Sequence, residues 1–192
     1  MEDSAMTTPT CIDPTLSAYI LAGGRSSRFG SDKARAVLDD LPLIQRQAAQ
    51  LRDCGCLVRV VARHADTYAD LGLETIGDLE PDRGPVGGVR TALTHRREGW
   101  ALITSCDLLQ VNPDWIDTLL TPTMHECDAI AFRDDRWQPF PGLYHTRLLE
   151  RADVWTRGSL QHLLDHANTI SLPAPRDPEI RQVNRPSDLP GQ

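Results

Sequence analysis

Short apolar runs alternate with stretches of helical periodicity along the first two thirds of the chain. An uninterrupted apolar run predicts a buried strand, whereas apolar residues spaced three and four apart predict a helix. The predicted strands cover residues 17–22, 56–62, 73–78 and 100–107. The predicted helices cover residues 41–55, 65–72, 84–97 and 112–120. This alternation predicts an α/β fold, a three-layer Rossmann-like sandwich with a mostly parallel sheet.

The last third of the chain is less regular. Two apolar runs, residues 128–133 and 140–145, predict strands that we expect to pair in antiparallel fashion on the substrate side. Helices are predicted at residues 146–152 and 159–167. The proline-rich residues 172–178 are predicted to form a loop.

The chain has the size and composition of one globular domain. It has 192 residues, of which 40% are hydrophobic and 24% charged, enough for one sizeable core. No repeat or long linker divides it, so we expect a single domain at residues 16–190 behind a mobile tail at residues 1–15. The tail lacks the basic and apolar parts of a secretory signal. No apolar run reaches the roughly 18 residues that cross a bilayer, and we expect a cytoplasmic protein without membrane contact.

Charge, cysteines and histidines exclude several other classes. The formal net charge of −7 argues against a broad nucleic-acid interface. Five cysteines, an odd number without a C-x-x-C pair, indicate reduced residues rather than a disulfide framework. His162 and His166 have the spacing of a two-histidine metal site, but the acid of H-E-x-x-H is missing. We expect them to be surface residues of a helix.

A basic, glycine-containing segment, residues 21–34, directly follows the first predicted strand. Gly23 and Gly24 let the backbone approach a ligand closely, so that N–H groups can point at phosphate oxygens. Arg28 and Lys33 add positive charge beside them. The segment matches neither a P-loop nor G-x-G-x-x-G. It therefore predicts an anion-binding loop of another kind, with a plain basic turn as the alternative.

Two further strands end in aspartate, at Asp78 and Asp107. In parallel sheets ligands bind beyond the carboxyl ends of the strands, so both carboxylates are expected beside the basic loop. A carboxylate such as Asp107 can hold Mg²⁺ while phosphate oxygens fill other positions. Strand-end aspartates also start turns and cap helices, which is the alternative for both residues. Gly87 and Gly88 inside a predicted helix cost about 1 kcal/mol each relative to alanine, which indicates a packing or ligand reason.

In this order, these segments resemble the molybdenum cofactor guanylyltransferase family. The opening motif of that family, L-A-G-G followed by S-x-R-F/M-G and D-K, is similar to residues 21–24, 26–30 and 32–33. Further similarities follow in order along the chain: Asp78 before Gly84-Pro85, Gly88, Cys106-Asp107, Q-P-F-P-G-L-Y at 138–144 and Q-V-N-R-P-S-D-L at 182–189. The resemblance extends from about residue 17 to residue 189.

The resemblance implies a nucleotidyltransferase that moves GMP from GTP to the terminal phosphate of the molybdopterin cofactor and releases pyrophosphate. It implies Mg²⁺ as cofactor on Asp107, catalytic roles for Lys33, Arg28 and Asp107, and transient contact with molybdoenzymes or other cofactor-biosynthesis proteins. The implied nucleotide-binding residues are Leu21, Ala22, Gly23, Gly24, Lys33, Asp78, Gly88 and Asp107. On the acceptor side, Asn184 and Gln182 match late polar residues of the family.

Three alternatives stay open at the level of sequence. The family often has an asparagine after its second strand, and residues 60–64 contain none, so a cytidylyltransferase acting on the same cofactor remains an alternative. Gly24 and the Asp32-Lys33 pair favour the guanylyl assignment. A sugar-phosphate nucleotidyltransferase is the second alternative, although its usual G-x-G-T-R is absent. The third is a non-catalytic module that binds the nucleotide or the cofactor.

Overall fold

The computed structural model describes residues 16–22, 32–175, 183 and 185–188. Within them, nine strands are formed: β1 Ser17–Leu21, β2 Val37–Leu38, β3 Leu41–Pro42, β4 Leu57–Ala62, β5 Thr75–Gly77, β6 Trp100–Ser105, β7 Ala129–Arg133, β8 Trp137–His145 and β9 Thr169–Pro173. The α-helices of the same residues are α1 Leu43–Asp53, α2 Gly84–Arg96, α3 Pro113–Leu120 and α4 Leu160–His166. None of the described helices has the length and apolar character needed to cross a bilayer.

Seven of the described strands form one sheet in the order β5-β4-β1-β6-β8-β7-β9. β8 runs antiparallel to both of its neighbours, β6 and β7. The other pairs, β1–β4, β1–β6, β4–β5 and β7–β9, are parallel. The expected mostly parallel α/β sandwich is confirmed, and so is antiparallel pairing in the last third of the chain.

Alternate residues of β1 divide the core into two layers. Ala18 and Ile20 face a cluster that includes the apolar sides of α1 and α3. Tyr19 and Leu21 face the opposite cluster, to which α2 and α4 contribute. Because successive side chains of a strand point to opposite faces, one buried strand supplies both layers, and the continuous apolar run in its sequence follows from burial on both sides.

The strand order reverses at β1. The chain passes through α1 to β4 on one side of β1, continues to β5, and returns through α2 to β6 on the other side. Leu21, the last residue of β1, is in register with Val61 of β4 and with Ser105 of β6. The carboxyl ends of these strands therefore form one edge, with the crevice at which ligands bind in such sheets.

Two predicted helices form as short 3-10 helices instead of α-helices. In residues 65–72 the 3-10 helix Ala69–Leu71 ends at Gly72 as predicted, and Asp66, with a φ of 66° that no α-helical residue adopts, excludes an α-helix that starts at residue 65. Residues 146–152 contain the 3-10 turn Thr146–Glu150 and then Arg151 at φ −91° and ψ 78°. That backbone conformation ends the turn before an α-helix can form.

Two strand assignments also differ from the prediction. Residues 41 and 42 begin no helix but form β3, which pairs with β2 across Asp39 and Asp40 at φ 51° and 62°; these are the left-handed conformations of a tight hairpin turn. Leu172 and Pro173, predicted as loop, belong to β9 at the edge of the sheet beside β7. An edge strand tolerates a proline because one side of it has no partner strand.

Candidate active site

A cavity lies at the carboxyl edge of β1, β4, β5 and β6, beside the start of α2. Its lining includes every predicted nucleotide-binding residue that the structure describes: Leu21, Ala22, Lys33, Asp78, Gly88 and Asp107. These residues are far apart in sequence, and the strand order brings them together. The remaining predicted site residues, Gly23, Gly24, Arg28, Gln182 and Asn184, lie outside the described residues.

Lys33 and Asp107 form an ion pair inside this cavity. Nζ of Lys33 lies 3.4 Å from Oδ2 of Asp107, and their side chains are 15% and 20% exposed. The other carboxylate oxygen, Oδ1, is buried and accepts no hydrogen bond from any described residue. A buried carboxylate oxygen without a donor is costly. Asp107 therefore has one oxygen paired with an amine and one oxygen suited to a cation or a further donor.

The backbone holds Asp107 in place from both sides. The N–H of Cys106 donates to the carbonyl of Leu21 (3.1 Å), which ties the end of β6 to the end of β1. The N–H of Val183 donates to the carbonyl of Asp107 (2.8 Å). Val183 is buried and packs against Leu38. A residue from late in the chain therefore lies beside Asp107.

Lys33 owes its position to the residue before it. Asp32 is the N-cap of the 3-10 turn Lys33–Arg35, and its Oδ1 accepts from the N–H of Ala34 (3.0 Å). Its Oδ2 accepts from the hydroxyl of Tyr68 (3.0 Å). Burial, and then the Asp32 carboxylate, raise the pKa of that hydroxyl, so it stays protonated and able to donate. The sequence motif includes Asp32 without assigning it a role, and Tyr68 is not predictable because nothing in its local pattern marks a residue 36 positions away as a partner.

Asp78 is held by α2. Its Oδ1 accepts from the hydroxyl of Thr91 (2.7 Å) and from the N–H of Glu80 (3.0 Å), and Thr91 Oγ1 in turn accepts from the N–H of Leu79 (3.0 Å). Thr91 is only 3% exposed. The turn after β5 is thus fixed by one buried threonine, and no motif in the sequence around Thr91 predicts this role.

The two glycines inside α2 have packing reasons. A Cβ on Gly87 would lie 2.5 Å from the carbonyl oxygen of Glu80, and one on Gly88 would lie 3.1 Å from Cδ1 of Leu21. Gly88 lines the cavity together with Leu21. The helix therefore approaches the Asp78 turn at Gly87 and the end of β1 at Gly88, and both close approaches shape the cavity wall.

The histidines and Cys106 are the other candidates for a metal site or for reactivity. Among the described residues, no three His, Cys, Asp or Glu side chains lie close enough to hold a metal ion together. The rings of His162 and His166 have centroids 3.9 Å apart, and Nδ1 of His166 lies 2.9 Å from the carbonyl of His162. Cys106 lines the cavity, where burial and then the neighbouring Asp107 raise the pKa of its thiol to about 12.

Residues 18–170 match the family described as the MobA-like NTP transferase domain. The chain belongs to the MobA-like NTP transferase family. Its relatives in that family include proteins named probable molybdenum cofactor guanylyltransferase. The one from Deinococcus radiodurans is 36% identical over 91% of this chain and 92% of its own length. The one from a Nostoc species is 30% identical over 91% of this chain and 88% of its own length.

A solved structure of similar fold supports the assignment of the fold. The molybdopterin-guanine dinucleotide biosynthesis protein A of Archaeoglobus fulgidus superposes with a TM-score of 0.73 over 90% of this chain and 94% of its own, at 23% sequence identity. The resemblance found in the sequence motifs is therefore confirmed, and the chain is a nucleotidyltransferase.

Proposed function

We propose that this nucleotidyltransferase moves GMP from GTP to the terminal phosphate of the molybdopterin cofactor and releases pyrophosphate. The observation that carries the proposal is the Lys33–Asp107 pair at the crevice where the strand order reverses. The names of the relatives, molybdenum cofactor guanylyltransferases, support the choice of donor and acceptor.

The reaction is a displacement at the α-phosphorus of GTP. A phosphate oxygen of the acceptor forms the new P–O bond, and the bond from the α-phosphorus to the oxygen that bridges to the β-phosphorus breaks, so that pyrophosphate leaves. Both reactants are anions, and the protein contributes by positioning them and by neutralising charge. Lys33 is the cation for this role in the described cavity, and Arg28 of the same loop is proposed as a second one.

The described cavity wall needs further positive charge before it can take a triphosphate. Asp32, Asp78 and Asp107 bring three carboxylates to the wall, against the single amine of Lys33. We propose that Asp107 holds Mg²⁺, since its buried Oδ1 has no described donor. Magnesium is commonly bound by one or two carboxylates together with substrate phosphates, so a single carboxylate suffices. When bound, the ion would supply charge stabilisation to the phosphates.

The nucleoside is assigned to the other side of the cavity. Thr91 and the Glu80 N–H donate to Oδ1 of Asp78, and we propose that the carboxylate held in this way accepts from a hydroxyl or an N–H group of guanosine. Gly88, Leu21 at the end of β1 and the following Ala22 line the same cavity as Asp78 and Asp107. We propose that they and the following Gly23 and Gly24 contact the nucleotide through backbone groups, where a close approach is needed.

The acceptor is assigned to the side from which Val183 reaches Asp107. The hydrogen bond from its N–H to the Asp107 carbonyl places Val183, which lies between Gln182 and Asn184 in the sequence, beside Asp107. We propose these two polar residues as contacts for the molybdopterin acceptor. The four cysteines that the structure describes are free thiols, which supports the cytoplasmic setting expected for a GTP-dependent biosynthetic enzyme with transient contacts to molybdoenzymes.

The test is a donor and acceptor comparison. The purified chain is incubated with Mg²⁺ and the molybdopterin cofactor, with and without bound molybdenum, and with either GTP or CTP. Pyrophosphate release and the mass of the dinucleotide product are measured. We expect pyrophosphate with GTP and cofactor together, background release when either is omitted, and strongly reduced release with Asp107→Asn. Turnover with CTP but not with GTP would identify a cytidylyltransferase. Turnover only when a sugar phosphate replaces the cofactor as acceptor would identify a sugar-phosphate nucleotidyltransferase. GTP binding without turnover would identify a non-catalytic binding module.

A further inference from the structure

α1 carries a polar residue in its apolar stripe. The buried residues of this helix are Leu43, Ile44, Gln47, Ala48 and Leu51, which are spaced as one face of a helix. Gln47 is only 2% exposed, although an aliphatic side chain would fill such a position without desolvating an amide. Packing alone therefore does not explain a glutamine here.

The amide of Gln47 reaches the carboxyl end of β6. Its Nε2 donates to the carbonyl of Ser105 (3.0 Å) and contacts Oγ1 of the buried Thr104 (3.3 Å). Its Oε1 is buried and has no hydrogen-bond partner among the described residues. Only the amide N–H group of this side chain forms hydrogen bonds among the described residues, and one of them is to Ser105, two positions before Asp107.

The Ser105 carbonyl starts the turn that carries Asp107. The same oxygen accepts from the N–H of Leu108 (3.1 Å), which closes the turn around Cys106 and Asp107. One helical turn further along α1, Oε1 of Gln50 accepts from the N–H of Val111 (3.0 Å). Two glutamines of one helix thus hold both ends of residues 105–111.

Asp107 depends on this turn for its position. Among the described residues, its carboxylate forms one ion pair, at 3.4 Å to Lys33, and its Oδ1 has no hydrogen-bond donor. A carboxylate with so few side-chain contacts is oriented by its backbone, and catalytic groups must be held within about 0.5 Å of their working geometry.

We propose that Gln47 is a positioning residue, which fixes the Ser105–Leu108 turn so that Asp107 presents its carboxylate to the cavity. This inference rests on the proposed role of Asp107 in nucleotidyl transfer. The first part of the proposal, that Gln47 immobilises the turn, does not depend on any substrate. The test therefore has one arm without substrate and one arm with substrate.

The first arm measures hydrogen exchange in the free protein. Gln47→Met keeps the length of the side chain and removes its donor. Its matched control is Gln45→Met on the same helix, because Gln45 Nε2 donates instead to the carbonyl of Leu71 (2.9 Å). We expect exchange of the Leu108 N–H to rise about tenfold in Gln47→Met, as for the loss of one buried hydrogen bond. It should stay unchanged in Gln45→Met, with the amides of β4 as internal reference. Unchanged exchange at Leu108 in Gln47→Met would overturn the proposal.

The second arm is a double-mutant cycle on the transfer reaction. We expect Gln47→Met to lower kcat about 10- to 100-fold, as loss of a supporting contact behind a metal-binding carboxylate does, with little change in KM for GTP. In an Asp107→Asn background the same change should lower the residual rate less than about twofold, because residues that act through one another are not additive. Equal losses in both backgrounds would show a general structural role and overturn the proposal.

Two possible complications, a variant that does not fold and a wild-type chain without activity, still leave the proposal testable. Gln47→Leu, which suits the apolar stripe of α1, replaces Gln47→Met if circular dichroism shows that the methionine variant does not fold. If the wild-type chain transfers no nucleotide at all, the proposed function fails, whereas the exchange arm still decides whether Gln47 holds the turn.

Discussion

Nζ of Lys33, the first residue of the 3-10 turn Lys33–Arg35, lies 3.4 Å from Oδ2 of Asp107 in the turn after β6. The pair joins the two charged groups that the proposed reaction requires, an amine for the phosphates and a carboxylate for the metal. Its partial burial makes each charge depend on the other more than in an exposed pair. Because Oδ1 of Asp107 has no described donor, the pair leaves one oxygen for a cation while Lys33 keeps the other.

Replacement of Asp107 separates catalysis from folding. We expect Asp107→Ala to lower the rate of Mg²⁺-dependent transfer by at least about 10³-fold, since the proposed metal ligand is lost. The melting temperature should change little, because the loss of a buried oxygen without a donor offsets the loss of the ion pair with Lys33. Pyrophosphate release and thermal unfolding are measured on the same preparation. Turnover like that of the wild type would remove Asp107 from the mechanism.

Lys33 is the only lysine in the sequence, and the other basic residues besides histidine are arginines. An ammonium is a compact point charge, whereas a guanidinium is a wide planar fork, so the two are not interchangeable in a narrow site. We expect Lys33→Ala to weaken GTP binding and turnover together, about 10- to 100-fold each, and Lys33→Arg to restore only part of the binding. Calorimetric titration with GTP and steady-state kinetics check this.

The single lysine also gives a direct labelling test of the same assignment. An amine reagent such as trinitrobenzenesulfonate has one ε-amine to modify in this chain, and GTP should protect it. Protection by the molybdopterin acceptor but not by GTP would place Lys33 on the other substrate.

The sequence predicts the fold class because apolar runs of strand length and helical periodicity are local signals. It also predicts which strand ends meet, since parallel strands joined by helices bring their carboxyl ends to one edge. Asp78 and Asp107 line one cavity as that rule requires. The failures have local causes as well, such as the positive φ of Asp66, which breaks a segment of helical composition.

The supporting residues of the site are not visible in the sequence. Thr91, Tyr68 and Gln47 act through hydrogen bonds to residues between 13 and 58 positions away. A threonine in a helix, a tyrosine in a turn and a glutamine in an apolar stripe have no local pattern that marks these partners. Gln47 is the exception in one respect, because a polar residue at a predicted core position is itself an inconsistency to explain.

Thr91 is expected to determine how well Asp78 serves the nucleotide. Thr91→Val keeps the shape of the side chain and leaves both Oδ1 of Asp78 and the N–H of Leu79 without the threonine hydroxyl. We expect a loss of about 1–3 kcal/mol in stability and a higher KM for GTP. Thr94→Val is the matched control, because the exposed Thr94 hydroxyl bonds only to the carbonyl of Arg90 within α2. Equal effects of the two substitutions would argue against a role for Thr91 at the site.

The two helix glycines are expected to respond differently to alanine. Each substitution gains about 1 kcal/mol of helix propensity. In Gly87→Ala the new Cβ meets the Glu80 carbonyl at 2.5 Å, and the backbone shift should cost more than that gain, about 1–3 kcal/mol. In Gly88→Ala the neighbour is the end of the Leu21 side chain at 3.1 Å, which can move. Urea unfolding should therefore show a lower free energy of unfolding for Gly87→Ala and a nearly unchanged one for Gly88→Ala. Steady-state kinetics should show a higher KM for GTP in Gly88→Ala, because the displaced Leu21 lines the cavity.

Cys106 is expected to be inert although it lines the cavity. Burial, and then the neighbouring Asp107 carboxylate, raise the pKa of its thiol to about 12. Since a raised pKa favours the neutral thiol, the thiolate is on the order of 10⁻⁴ or less of the total at pH 7.5, against roughly a tenth for an ordinary cysteine. Iodoacetamide at pH 7.5 should therefore leave Cys106 unmodified in the folded chain and modify it in urea, as read by peptide mass spectrometry. The rate in the folded chain should rise about tenfold per pH unit up to the pKa. Rapid modification at pH 7.5 would show that Cys106 is ionised by a nearby cation, with Lys33 as the group to test.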